Sequence, residues 1–271
     1  MIPMSNDKAI LVVSFGTSYN DNRARTIGAI EELIAYHHPD WEVRRAFTSR
    51  MIIRKLAERD NEKIDYVTDA MERLANDGFR TVIVQPTHIM NGDEFEKVES
   101  VVEQYKGRFE KLCLGKPLLT TDLDYDMVMD AVDEGIVKES ANLGHRTAIV
   151  LMGHGSEHYA NATYSQLQMK FITSGRKDVY VTTVEGYPSF EDTLKLMEGK
   201  GYTDVALYPF MLVAGDHANN DMAGDEEDSW KSILTAEGYE VECIIEGLGQ
   251  LPAIQNIYVE HTQVAVDSLA Q

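Results

Sequence analysis

The chain has 271 residues, and 45 Asp and Glu against 25 Lys and Arg leave a formal net charge of −20. That excess of acid excludes a nucleic-acid binder working through a general basic surface, because phosphate attraction needs clustered positive charge. An apolar fraction of 44% excludes disorder as the default state, and the length suits one large domain or two of half size.

The first apolar run, Ala9 to Ser14, follows a single Lys and breaks at Ser14-Phe15-Gly16. It reads as an opening strand and not as a signal peptide. No run approaches the roughly 18 apolar residues of a membrane span, so a cytoplasmic protein with no membrane partner is expected. Downstream, apolar residues recur three and four apart over Arg25 to Tyr36 and Ile64 to Ala75, which predicts helices. Glu42 to Phe47 is a weaker strand, Thr81 to Gln85 a clear one, and Lys111 to Leu114 again weak. A helix-like stretch from Tyr125 to Glu139 leads to the turn-forming Asn142-Leu143-Gly144. Four more strands are expected at Thr147 to Met152, Val179 to Val184, Asp204 to Tyr208 and Val241 to Ile245. Short β-branched runs alternating with helical periods are the pattern of parallel βα units. Runs apolar on both faces predict buried sheets covered by helices. Cys113 and Cys243 lie far apart in apolar stretches and are expected as buried free thiols.

The second half echoes the first. Ser14-Phe15-Gly16-Thr17-Ser18 corresponds to Gly153-His154-Gly155-Ser156, which sets Phe15 opposite His154. The run from Gly78 to Pro86 matches Gly201 to Pro209 in character, and Asn91-Gly92-Asp93-Glu94 lies opposite Ala214-Gly215-Asp216-His217. Glu94 thus corresponds to His217. The fold class expected is α/β, two similar doubly wound domains with parallel sheets, residues 1–141 and 142–271, joined around Ala141 to His145. Such sheets bind ligands at the carboxyl ends of their strands, and a duplicated pair is expected to turn those ends toward a shared cleft.

Three strands of the second half end in side chains able to hold a metal or move a proton: His154, Glu185 and His217. Two imidazoles and a carboxylate suit a divalent first-row ion that keeps open coordination positions. Each residue alone has an ordinary explanation as a loop or helix-end group, and only their shared placement at strand ends singles them out. The acids Asp221, Asp225, Glu226, Glu227 and Asp228 fit a solvated helix start or a collector of divalent cations. Against this background Arg44, Arg45, Arg50, Arg54 and Lys55 concentrate five cations in a short span, a counter-patch for a polyanion. Ser14, Thr17 and Ser18 suggest an anion cradle after the first strand, though their spacing matches neither a P-loop nor GxGxxG. His88 reads as a pocket wall and not a ligand.

Leu11 to Ser18, Arg45 to Ser49, Met51 to Leu56, His88 to Glu94, Met152 to Gly155 and Met211 to His217, taken together and in this order, resemble the CbiK-type anaerobic cobalt chelatases. The resemblance spans nearly the whole chain. It implies a class II chelatase of two similar α/β domains that inserts Co2+, without ATP, into sirohydrochlorin or precorrin-2 on the route to cobalamin. By matching motif it implies that His154, Glu185 and His217 bind the metal, with His154 also the proton acceptor. Arg54, Glu94 and the Ser14 to Ser18 loop become candidates for binding a substrate with eight carboxylates. Family members that bind haem carry an export leader; this chain shows none, so haem is not expected. A homo-oligomer is compatible with the resemblance, and nucleic acid is not expected as a partner. Two alternatives stay open: the same chemistry with Fe2+ or Ni2+, and a non-catalytic two-lobe protein that binds a metal or anion.

Overall fold

β1 (Lys8–Ser14) is exposed at its first residue and buried at every later one, as a strand covered on both faces must be. In the computed structural model, which describes residues 7–138 and 146–269, it is joined by β2 (Glu42–Phe47), β3 (Asp65–Tyr66), β4 (Thr81–Pro86) and β5 (Lys111–Leu114). They form one parallel sheet in the order β3-β2-β1-β4-β5. The accompanying helices are α1 (Asn20–Arg23), a π-helical turn at Ala24–Gly28, α2 (Ala29–His37), α3 (Arg50–Asp60), α4 (Val67–Asn76) and α5 (Asp93–Gln104). One face of the sheet is filled by Leu11, Val13 and Val84 against Met71, Leu74 and Val98. Full burial of each such side chain stabilises by about 1.5–3 kcal/mol.

The helix expected from Ile64 starts later. Asp65 and Tyr66 pair with Ala46 and Phe47 as an edge strand, and the Arg50 guanidinium lies 3.9 Å above the Tyr66 ring. Cross-strand pairing at the sheet edge overrides the helical period there.

The second unit repeats the plan. α6 (Asp122–Val132) precedes β6 (Thr147–Gly153), α7 (Ala162–Thr173), β7 (Val179–Thr183), α8 (Phe190–Met197), β8 (Asp204–Pro209), α9 (Trp230–Ala236) and β9 (Glu240–Cys243). Its parallel sheet runs β7-β6-β8-β9, so β6, β7, β8 and β9 take the places that β1, β2, β4 and β5 hold in the first sheet. Val150, Met152 and Leu207 pack with Phe190 and Trp230, whose rings stack at 4.3 Å. Among the described residues no helix is long and apolar enough to cross a membrane.

The division between units differs from the expected one. The join expected at Ala141 to His145, and with it the 141/142 boundary, lies outside the described residues. By contacts the first unit is residues 1–120 with 255–271, and the second is 121–254. The physical reason lies in two helices. α6 belongs to the second unit because Lys170 on α7 bonds both Asp122 and Asp126 at 2.7 Å, and Arg176 pairs with Asp133 at 2.9 Å. The terminal helix α10 (Pro252–Ser268) returns to the first: the Tyr258 hydroxyl donates to the Thr87 carbonyl at 2.9 Å, and His261 Nδ1 lies 3.2 Å from the Lys116 carbonyl. Both cysteines are free, as expected, but half-buried; Cys113 Sγ sits 3.2 Å from Ser268 Oγ on α10.

Candidate metal centre

β6 ends at Gly153, which has no room for a side chain: a Cβ there would lie 2.3 Å from the Tyr164 ring. His154 follows, and Gly155 then takes φ +83°, where a Cβ would meet the backbone of Glu185 and Gly186 at 2.8 Å. Only glycine fits that left-handed, closely approached position. The result presents the His154 side chain to solvent at 49% exposure, against 61% for Glu185. Glu185 follows β7, and its N–H donates to the His154 carbonyl at 2.8 Å. His217 lies in the segment after β8, directly before a π-helical turn at Ala218–Met222.

These three groups converge. One ligand atom from each of His154, Glu185 and His217 lies within 4.8 Å of the others. The two imidazoles meet edge to face, centroids 4.7 Å apart, and the Glu185 carboxylate is 3.9 Å from His154 Nδ1. Hydrogen bonds fix which nitrogen is available. His154 Nδ1 is 2.9 Å from the Gly155 carbonyl, which can only accept, so Nδ1 carries the proton and Nε2 keeps its lone pair. His217 Nδ1 is 2.7 Å from the Asp221 carboxylate, one helical turn on, with the same consequence. A carboxylate behind an imidazole fixes its tautomer and orients the ring. The site therefore offers two Nε2 atoms and one carboxylate, with coordination positions left open.

Tyr164 supports the loop from beneath. It is 2% exposed, accepts backbone hydrogen bonds from Gly155 and His154, and burial pushes its phenol up to about 12. It stays neutral beside the candidate metal ligands. His158, near in sequence, is engaged elsewhere: its Nδ1 accepts from the Ala160 N–H at 3.1 Å.

In the first unit the structure places the remaining candidates differently. Ser14, Thr17 and Ser18 are all buried. Thr87 donates to Ser14 Oγ at 2.7 Å, and Thr17 Oγ1 accepts from the Tyr19 N–H at 3.3 Å. The expected hydroxyl cradle is turned into the domain and braces the loop. Glu94 is half-buried, accepts from Thr48 Oγ1 at 2.6 Å, and pairs with Lys97. The five-cation cluster is split by its partners: Arg44 pairs with Asp77 at 2.5 Å and Glu42 at 2.7 Å, and Arg45 pairs with Glu31 at 2.5 Å. Arg54 and Lys55 are exposed and form no ion pair among the described residues. Both ring nitrogens of His88 are buried without a hydrogen-bond partner, and burial holds its pKa down at about 4; a neutral wall residue is the result.

One supporting role escaped sequence reasoning: Asp221 was read only as one of the acids after His217, and its i+4 spacing was the available signal that it bonds the His217 ring.

The family model described as cobalt chelatase (CbiK) matches residues 8–267. The chain is 42% identical over 260 residues to the sirohydrochlorin cobaltochelatase of Salmonella typhimurium, covering 96% of this chain and 97% of that protein. It is 30% identical over 270 residues to the sirohydrochlorin cobaltochelatase CbiKC of Nitratidesulfovibrio vulgaris, covering 99% and 93%. A solved structure of SirB from Bacillus subtilis with Fe3+ aligns at TM-score 0.63 and 15% identity, over 97% of this chain and 98% of that one, which speaks to fold alone. Match length and identity agree: the chain belongs to the cobalt chelatase (CbiK) family.

Proposed function

We propose that the protein inserts Co2+ into sirohydrochlorin without ATP, with His154, Glu185 and His217 receiving the ion and His154 accepting a proton. The observation that carries this reading is the convergence of two imidazoles and one carboxylate just beyond the ends of three strands, in a member of this family.

The chemistry follows from the donors. Metal insertion replaces two pyrrole N–H protons by metal–nitrogen bonds, so the site must surrender the ion as the macrocycle binds it. Three ligands hold a divalent ion incompletely, which lets ring nitrogens enter stepwise. A thiolate site would retain it. Once His154 Nε2 releases the ion, its lone pair can take one of the two pyrrole protons, the other passing to solvent. The donation from His217 to Asp221 keeps that second ring aimed while ligands exchange. Arg54, which like Arg50 and Lys55 is exposed and forms no ion pair among the described residues, is the cation assigned to a substrate carboxylate in this proposal; Glu94 is a further contact, while Ser14, Thr17 and Ser18 hold their loop. The reading includes a cytoplasmic enzyme with no bound haem.

The test is to mix purified protein with sirohydrochlorin and Co2+ and follow the absorbance change of metal insertion, with Fe2+ and Ni2+ as competitors. Acceleration over the uncatalysed rate, greatest with Co2+, is expected. A rate equal to the uncatalysed one overturns the reading.

A further inference from the structure

We infer that Asn161 is a positioning residue that locks the His154 loop to the Glu185 loop and so sets the spacing of the metal ligands; this rests on the metal-site reading above. Asn161 stands at the N-terminus of α7, where an Asn side chain ordinarily caps its own helix. Here it makes no such cap. Its Oδ1 accepts from the Ser156 N–H at 3.0 Å, and its Nδ2 donates to the Tyr187 carbonyl at 2.7 Å. An amide N–H can only donate and a carbonyl can only accept, so both partners fix the same orientation of the carboxamide. Ser156 lies two residues after His154, and Tyr187 two after Glu185. The bridge therefore joins equivalent points of the two loops.

Glu185 is the ligand that most needs it. His217 is held by Asp221 and His154 by the Gly155 carbonyl, whereas the Glu185 carboxylate accepts no hydrogen bond among the described residues and is 61% exposed. What fixes Glu185 is its backbone: its N–H on the His154 carbonyl, and the Asn161 bridge two residues on. Gly186 completes the fit, since a Cβ there would lie 2.6 Å from Asn161 Oδ1. A side chain at Gly186 would displace the carboxamide from the bridge.

Asn161→Ala removes both bonds. Asn161→Asp keeps the acceptor for Ser156 and sets an oxygen against the Tyr187 carbonyl. Co2+ affinity is measured by calorimetry in wild type, both variants, His154→Ala, and Thr121→Ala, which removes the α6 cap far along the chain from the ligand loops. The expected result is a Co2+ Kd raised about 10–100-fold in Asn161→Ala, raised less in Asn161→Asp, and unchanged in Thr121→Ala despite a lower Tm. Wild-type Kd in both Asn161 variants overturns the inference, as does equal weakening in Thr121→Ala, which would make the effect one of general stability. If Asn161→Ala fails to fold, the Asn161→Asp result decides by the same criterion. Wild-type affinity in His154→Ala would instead overturn the metal site itself.

Discussion

Phe15 and His154 occupy the same position in the two repeats. The Phe15 carbonyl accepts from the Ser49 N–H at 3.2 Å, and the His154 carbonyl from the Glu185 N–H at 2.8 Å. The neighbouring bonds agree: Thr48 to Ser14 matches Val184 to Gly153, and Thr87 to Val13 matches Phe210 to Met152. The candidate metal ligands His154, Glu185 and His217 thus stand where the first repeat has Phe15, Ser49 and Glu94. A phenyl ring and a hydroxyl that serves as the α3 cap replace two of the three donors. The repeats share a scaffold, and one of them carries the ligand set.

That relationship makes Gly16 and Gly155 a matched pair. Both have positive φ, +100° and +83°, and in both a Cβ collides, with the Phe47 ring at Gly16 and with the Glu185 and Gly186 backbone at Gly155. Ala at either position is expected to lower stability by about 1–3 kcal/mol in urea unfolding. Only Gly155→Ala should also abolish tight Co2+ binding by calorimetry. Equal retention of Co2+ by both variants would show that the Gly155 turn does not set the site.

Asp221→Asn keeps a hydrogen-bond partner for His217 but removes the charge behind it. Co2+ affinity should fall about tenfold with little change in Tm, since the pair is partly exposed and such pairs contribute about 0–1 kcal/mol. Unchanged affinity would mean that Asp221 neither orients nor tunes the ring.

Arg45 and Arg54 should separate stability from substrate binding. Arg45→Ala breaks the Glu31 pair and is expected to lower Tm while leaving the KM for sirohydrochlorin near its original value. Arg54→Ala should raise that KM several-fold at constant Tm. Steady-state kinetics with thermal melts reads both, and the reverse pattern would reassign the two residues.

His88 predicts acid sensitivity. Its folded pKa is held at about 4 against an ordinary 6.5, so the unfolded chain binds more protons between those values and stability rises with pH across that window. The contribution is complete above about pH 6.5 and is lost as pH falls toward 4, on the order of 3 kcal/mol in all. His88→Leu should flatten the urea midpoint over this range. A slope unchanged from wild type would contradict it.

Much of this was legible in the sequence because strand-end position and residue type travel together. An apolar run followed by Gly153-His154-Gly155 announces both a buried strand and a closely packed loop, and the internal repeat then located Glu94 against His217. The domain boundary was not legible: the amphipathic pattern of α6 states that one face is buried but not against which sheet, and the deciding contacts, Lys170 to Asp122 and Asp126, join residues over 40 apart. The basic segment misled for a related reason. Arg44 and Arg45 are cations in sequence and parts of internal ion pairs in space, because Glu31 and Asp77 come from other elements.

Whether His154, Glu185 and His217 receive cobalt is read by anomalous diffraction at the cobalt edge from crystals soaked in Co2+. One strong peak is expected within bonding distance of His154 Nε2, His217 Nε2 and a Glu185 carboxylate oxygen, lost in His154→Ala. A dominant peak elsewhere, or one that persists in that variant, would contradict this assignment.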